Sequence, residues 1–193
     1  MPEEFEPPVV ETLRAFVIFV GMISAHRQFH NHMIFAGGAW SWSGFAPVNR
    51  FSIRASREAL QACAKHGIKD IFVTCWKDDG AECSLFSTLP SLCCIAEFAR
   101  GNFNMEEIAS KFKKIIGIDF DAFLALDYVN ICNVDKAVRN PSGYMLYSDP
   151  FLGIFDDLIE EKDAEKFADV KDLLLQTAKN KQFGYIFKVL AAL

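Results

Sequence analysis

Two short apolar runs constrain this chain more than anything else in it. HMIFAGGAW (32–40) ends in two glycines and a tryptophan, and IKDIFVTCW (68–76) ends in a cysteine and a tryptophan. Both have the character of strands buried on both faces, as in parallel sheets. Between them SREALQACAKHG (56–67) is a compact helix signal. Ser56 can cap its start, Leu60, Cys63 and Ala64 repeat at helical spacing, and Gly67 ends it after Lys65 and His66. Strand, helix and strand in that order make a βαβ unit with parallel strands and a right-handed crossover. Both runs end in aromatic and polar residues, at the side of the sheet where α/β folds hold ligands.

The rest of the chain is helical in pattern. Residues 1–10, MPEEFEPPVV, are a proline-broken lead-in, and 11–29 read most simply as one helix, although FVIFV (16–20) alone could be a strand. Further helices are expected at 85–101, with Pro90 near the first turns, at 105–117 and at 119–130. NPSGYMLYSD (140–149) reads as a turn and a short extended piece, and 163–193 as one long helix or two. The chain is therefore α/β up to about residue 100 and mainly α beyond it, divided near Gly101. Two parallel strands leave both sheet edges unpaired. Either the piece belongs to a larger α/β domain, or the helical half or a partner, a second copy included, covers the edges.

Composition narrows the function classes. The 193 residues are 51% hydrophobic with 19 Phe, enough for a real core, and the net charge of −5 with no Lys/Arg run argues against a nucleic-acid surface. The apolar run AFVIFVGMI (15–23) is far shorter than the roughly 20 residues that span a bilayer. The acidic start is unlike a secretory signal. Cysteines 63, 75, 83, 93, 94 and 132 show no C-x-x-C pairing, so reduced structural thiols in a cytoplasmic protein are expected.

Two motifs could carry chemistry. In GGAWSWSGFAP (37–47), Trp40 and Trp42 fall on one side if the strand persists. They are either core residues or an apolar wall on which a sugar face packs. In WKDDGAE (76–82), Trp76 could be a second platform, and Asp78, Asp79 and Glu82 could accept hydrogen bonds from hydroxyls or cap the following helix. The alternating oxygen ligands of a calcium loop are missing. His26 and His30 lack the Glu of an H-E-x-x-H site, and no G-x-S-x-G, P-loop or G-x-G-x-x-G motif occurs. No metal and no cofactor is expected.

IFAGGAWSWSGFAPVNRFS (34–52), VTCWKDDGAECSLFSTLPSLCCIAEFARG (73–101) and NPSGYMLYSDPFLGIFD (140–156) resemble, in order, the bacterial branch of glycoside hydrolase family 20, the β-N-acetylhexosaminidases. The resemblance runs from about Met22 to at least Asp157, and residues 1–21 are unmatched. It implies a (β/α)8 barrel whose last two βα units are residues 22–101, followed by a helical C-terminal domain at 102–193. It also implies action on terminal β-linked N-acetylglucosamine or N-acetylgalactosamine, with the substrate's own acetamido oxygen as nucleophile. Trp76 then resembles the tryptophan walling the sugar subsite, Trp40 and Trp42 the opposite wall, and Asp78, Asp79 and Glu82 contacts to outer hydroxyls. The family's catalytic Asp-Glu pair has no counterpart upstream of GGAW, and a whole barrel takes ~250 residues. The expectation is a C-terminal hexosaminidase fragment with no catalytic residue of its own. It would be inactive alone and complete only with the missing barrel portion. The alternatives are a dimerising helical module and a sugar-binding remnant.

Overall fold

The computed structural model describes residues 9–29, 32–42, 44–76, 82–130 and 161–193, with single positions at 146, 151 and 153. The element expected at 140–149 lies outside them apart from Leu146, and Asp78 and Asp79 lie outside them too. A helix α1 (Val9–Arg27) leads into strand β1 (Ile34–Gly38), helix α2 (Asn49–Lys65) and strand β2 (Asp70–Thr74). A 3-10 turn (Leu85–Thr88) opens helix α3 (Leu89–Ala99), with Pro90 in the first turn, where its missing N–H costs nothing. Helices α4 (Met105–Ile116) and α5 (Phe120–Leu124) follow, and α5 tightens into a 3-10 stretch (Ala125–Asn130). The C-terminal segment forms two helices, α6 (Glu161–Thr177) and α7 (Gly184–Ala192). The turn between them is set by Asn180, whose Oδ1 accepts from the backbone N–H groups of Gln182 and Phe183.

β1 and β2 pair in parallel, Ile34 opposite Asp70 through Gly38 opposite Thr74, with α2 as the crossover. That is the expected βαβ unit. The expectation of strands buried on both faces is corrected. Phe35, Ile71 and Val73 pack on the core, whereas Ile34 and Phe72, on the other face, are 57% and 52% exposed. The reason is that, among the described residues, the sheet has two strands and helices α1 and α2 back only one face.

The start of α2 is also corrected. It begins at Asn49, seven residues before Ser56, and Ser56 is buried within it. No side chain at Val48 caps it. The cap comes from the other half of the chain. Asp127 accepts from the Arg50 backbone N–H at 2.7 Å and from Asn49 Nδ2 at 3.1 Å. Asn49 Nδ2 also donates to the Ser87 carbonyl, and Ser91 Oγ donates to Asn49 Oδ1 at 2.6 Å. The Arg50 guanidinium donates to the Leu124 carbonyl and lies 4.7 Å from the centre of the Tyr128 ring. A buried polar network thus ties the βαβ unit to α3 and α5, satisfying orphan N–H groups of the α2 N-terminus from 77 residues away.

One apolar core runs from Ile23 to Ala191. The five cysteines among the described residues are free, and burial pushes the Cys94 thiol up to about 12. Among the described residues no helix is long and apolar enough to cross a membrane.

Candidate functional site

The strands stop where their side chains change character. One further ladder bond, Ala39 N–H to the Thr74 carbonyl at 2.9 Å, closes the sheet beyond Gly38. The loop from Trp40 to Val48 is then fastened to the start of α2. Trp40 N–H donates to Ser52 Oγ, Val48 N–H donates to the Trp40 carbonyl, and Ser52 Oγ donates to the Val48 carbonyl. Asn130 Nδ2 holds the same loop through the Ala46 and Pro47 carbonyls.

This anchoring sets a row of rings across the C-terminal end of β1. Trp40 and Trp42 stack with centroids 5.1 Å apart and planes 11° from parallel. Phe51 meets Trp40 edge-on at 4.7 Å, and the Arg54 guanidinium lies 5.6 Å from the centre of the Phe51 ring. The Trp42 ring lies so close over Gly38 that a Cβ there would come within 2.7 Å of it, so the close approach requires glycine.

β2 brings its own tryptophan to the same end. Trp76 is 54% exposed, and its carbonyl accepts a hydrogen bond from Ser41 Oγ at 3.2 Å. The stretch 40–42 and Trp76 are therefore adjacent across the sheet end. Since Trp40 and Trp42 are packed face to face, no sugar ring fits between them. Any ligand must lie against an outer surface of the row. Glu82 is exposed. Neither the 3-10 turn nor α3 has an acidic residue in its first turn. Thr88 Oγ1 instead bonds back to the Leu85 carbonyl.

Ser41, Phe51 and Arg54 join the site without having been picked out in the sequence. Phe51 and Arg54 are three residues apart on one helix face, a usable signal once α2 is known to start at Asn49. Among the described residues no three His, Cys, Asp or Glu side chains gather to hold a metal ion. Chemically the arrangement is an aromatic surface, suited to holding the apolar face of a ring.

Residues 121–193 match a family model described as the Glycoside Hydrolase 20C C-terminal domain. The match covers the third block of the resemblance, and the two blocks around the strands lie outside it. No curated protein matches the chain.

Proposed function

We propose, from the match of residues 121–193 to the Glycoside Hydrolase 20C C-terminal domain, that the tryptophan end of the sheet is one wall of a β-N-acetylhexosaminidase pocket. In this reading β1 and β2 are the last two strands of a (β/α)8 barrel, and the C-terminal helices pack behind them. The observation that carries it is the Ser41–Trp76 hydrogen bond, which supports a single aromatic surface built from both strand ends, on the side where barrel enzymes bind substrate. Trp76 is the platform for the sugar, and Trp40 and Trp42 form the flank. Asp78, Asp79 and Glu82 accept from its outer hydroxyls.

In the complete enzyme of this reading, the acetamido oxygen of the bound N-acetylhexosamine attacks the anomeric carbon as the glycosidic bond breaks. An Asp orients the acetamido group, and a Glu gives the leaving oxygen its proton. This chain supplies neither and so binds without turnover. The free thiols support a reducing, cytoplasmic setting.

The test has two arms on the purified 193-residue chain. Release of p-nitrophenol from its β-N-acetylglucosaminide is expected to equal the buffer control. Tryptophan fluorescence is expected to change on titration with N-acetylglucosamine, and Trp76→Ala to abolish the change. Turnover would overturn the inactivity, and a flat titration would remove the sugar wall.

A further inference from the structure

We propose that Asn130 and Asp127, on the 3-10 stretch Ala125–Asn130, are positioning residues that set the tryptophan row from the helical half of the chain. Both fall within 121–193, the stretch that matches the C-terminal-domain model, and the row they hold lies outside it. The helical half is then part of the binding apparatus, not only a support behind it. The consequence for sugar affinity rests on the reading above, whereas the placement of the indoles does not.

Side chains at i and i+3 of a 3-10 helix share one side, so this short stretch presents both groups to the start of α2 and the loop before it. The first arm runs through a single peptide plane. Asn130 Nδ2 donates to the Pro47 carbonyl at 3.0 Å, and the N–H of the same peptide, that of Val48, donates to the Trp40 carbonyl at 3.0 Å. A peptide unit is planar and stiff, so the Asn130 amide and the Trp40 backbone do not shift independently, and the two bonds polarise each other. A second bond from Nδ2, to the Ala46 carbonyl at 3.3 Å, fixes the preceding peptide as well. Ala46 and Pro47 are fully buried, so loss of the Asn130 amide would leave their carbonyls without that donor and out of reach of water.

The second arm runs through the helix. Asp127 accepts from the Arg50 N–H at 2.7 Å and from Asn49 Nδ2 at 3.1 Å, which fixes the first turn of α2. The next two residues grip Trp40: Phe51 meets its ring edge-on at 4.7 Å, and Ser52 Oγ accepts its N–H at 2.9 Å. Ser52 Oγ also donates to the Val48 carbonyl at 2.9 Å, which joins the two arms beside Trp40. Beyond the Ala39 bond to β2, the N–H and the carbonyl of Trp40 are thus bonded to groups that Asp127 and Asn130 hold. The strand delivers the indole to the sheet end, and the clamp sets its angle against Trp42.

Asn130→Ala and Asp127→Asn in the full chain test the two arms, with Ile108→Val as control. Ile108 is fully buried on α4 and belongs to neither arm. Asn130→Ala should weaken the near-ultraviolet circular-dichroism signal of the stacked indoles and raise the Kd for N-acetylglucosamine by about tenfold, with the far-ultraviolet spectrum intact. Asp127→Asn keeps the side chain's size but turns a donor toward the α2 start, and should move both readings the same way by less. Ile108→Val should lower stability and leave both readings at wild-type values. An unchanged indole signal in Asn130→Ala would overturn the loop arm, and one in Asp127→Asn the helix arm, whether or not the chain binds sugar. An Ile108→Val signal reduced as far as that of Asn130→Ala would overturn the whole proposal, because the row would then follow general stability. A flat wild-type titration, with the indole signal still lost in Asn130→Ala, would uphold the positioning and remove only the sugar wall.

Discussion

Phe123 and Phe72 have the same side chain in opposite surroundings. Phe123 is fully buried, meeting Phe112 at 5.5 Å, Phe187 at 5.4 Å and Phe183 at 6.1 Å, all near edge-on. Phe112 in turn meets Phe120 edge-on at 5.3 Å. These rings come from α4, α5 and the end of the chain, so the helical half closes on itself around phenylalanine. Phe72, on β2, has its outer side in water, as do Ile34 and Trp76. One half of the molecule is a finished core. The other is a finished backbone with an unfinished surface, and the candidate contacts to sugar fall there.

The sharpest way to break that contrast is to cut the same side chain in both places. Phe123→Ala should cost ~3–5 kcal/mol, through lost burial and the cavity left among rigid rings. Phe72→Ala should cost under ~1 kcal/mol in the monomer. Urea denaturation at low protein concentration measures both. Equal losses would mean that the sheet face is covered in solution and the contrast is wrong.

The polar seam between the halves is the next target. Burial pushes the Asp127 carboxyl up from 3.8 to about 6, against the opposing hydrogen bonds from the backbone N–H groups of Arg50 and Asn49. Between those values the folded chain holds a proton that the unfolded chain has lost. The stability linked to this group is therefore full below about pH 4 and is lost as pH rises through about 6. At ~1.4 kcal/mol per unit the swing is about 3 kcal/mol. Asp127→Asn removes the titration. Wild type minus variant, measured by urea unfolding at pH 4 and pH 7, should therefore shift by ~2–3 kcal/mol in favour of wild type at the acid end. A pH-independent difference would show that water reaches the seam and the halves are less tightly joined than their hydrogen bonds imply.

Asp127 also shows what a sequence reading reaches. The two strands, their parallel order and the stop at Gly67 are local signals, and they are found as expected. The true start of α2 is not local, since its cap lies 77 residues on and its first turns bury Asn49, Ser52 and Ser56, whose polarity hides the helical period. A run such as DIFVT states that a strand can be covered on two sides. It cannot state whether the same chain supplies both covers, which is why Phe72 and Ile34 were expected to be buried. The tryptophan spacing was legible, but the stacking of Trp40 on Trp42 depends on Gly38, Phe51 and a loop pinned from α2 and Asn130.

Gly38 gives the smallest and most local test, at the boundary between finished and unfinished surface. It lies at the last paired position of β1, opposite Thr74, and an alanine methyl there would stand 2.7 Å from Cη2 and 3.3 Å from Cζ3 of Trp42. The backbone need not strain, since an extended residue accepts alanine, so the cost falls on the ring. To make room Trp42 must slide along Trp40, itself held edge-on by Phe51, and overpacking of this kind costs ~1–2 kcal/mol. Gly38→Ala should therefore lower stability modestly and weaken the near-ultraviolet circular-dichroism signal of the stacked indoles. It should leave the far-ultraviolet spectrum and the α1 surface untouched. If the indole signal survives, the stack is not locked to the strand. The aromatic row would then be as adjustable as the exposed sheet face beside it, and a ligand could order it on arrival.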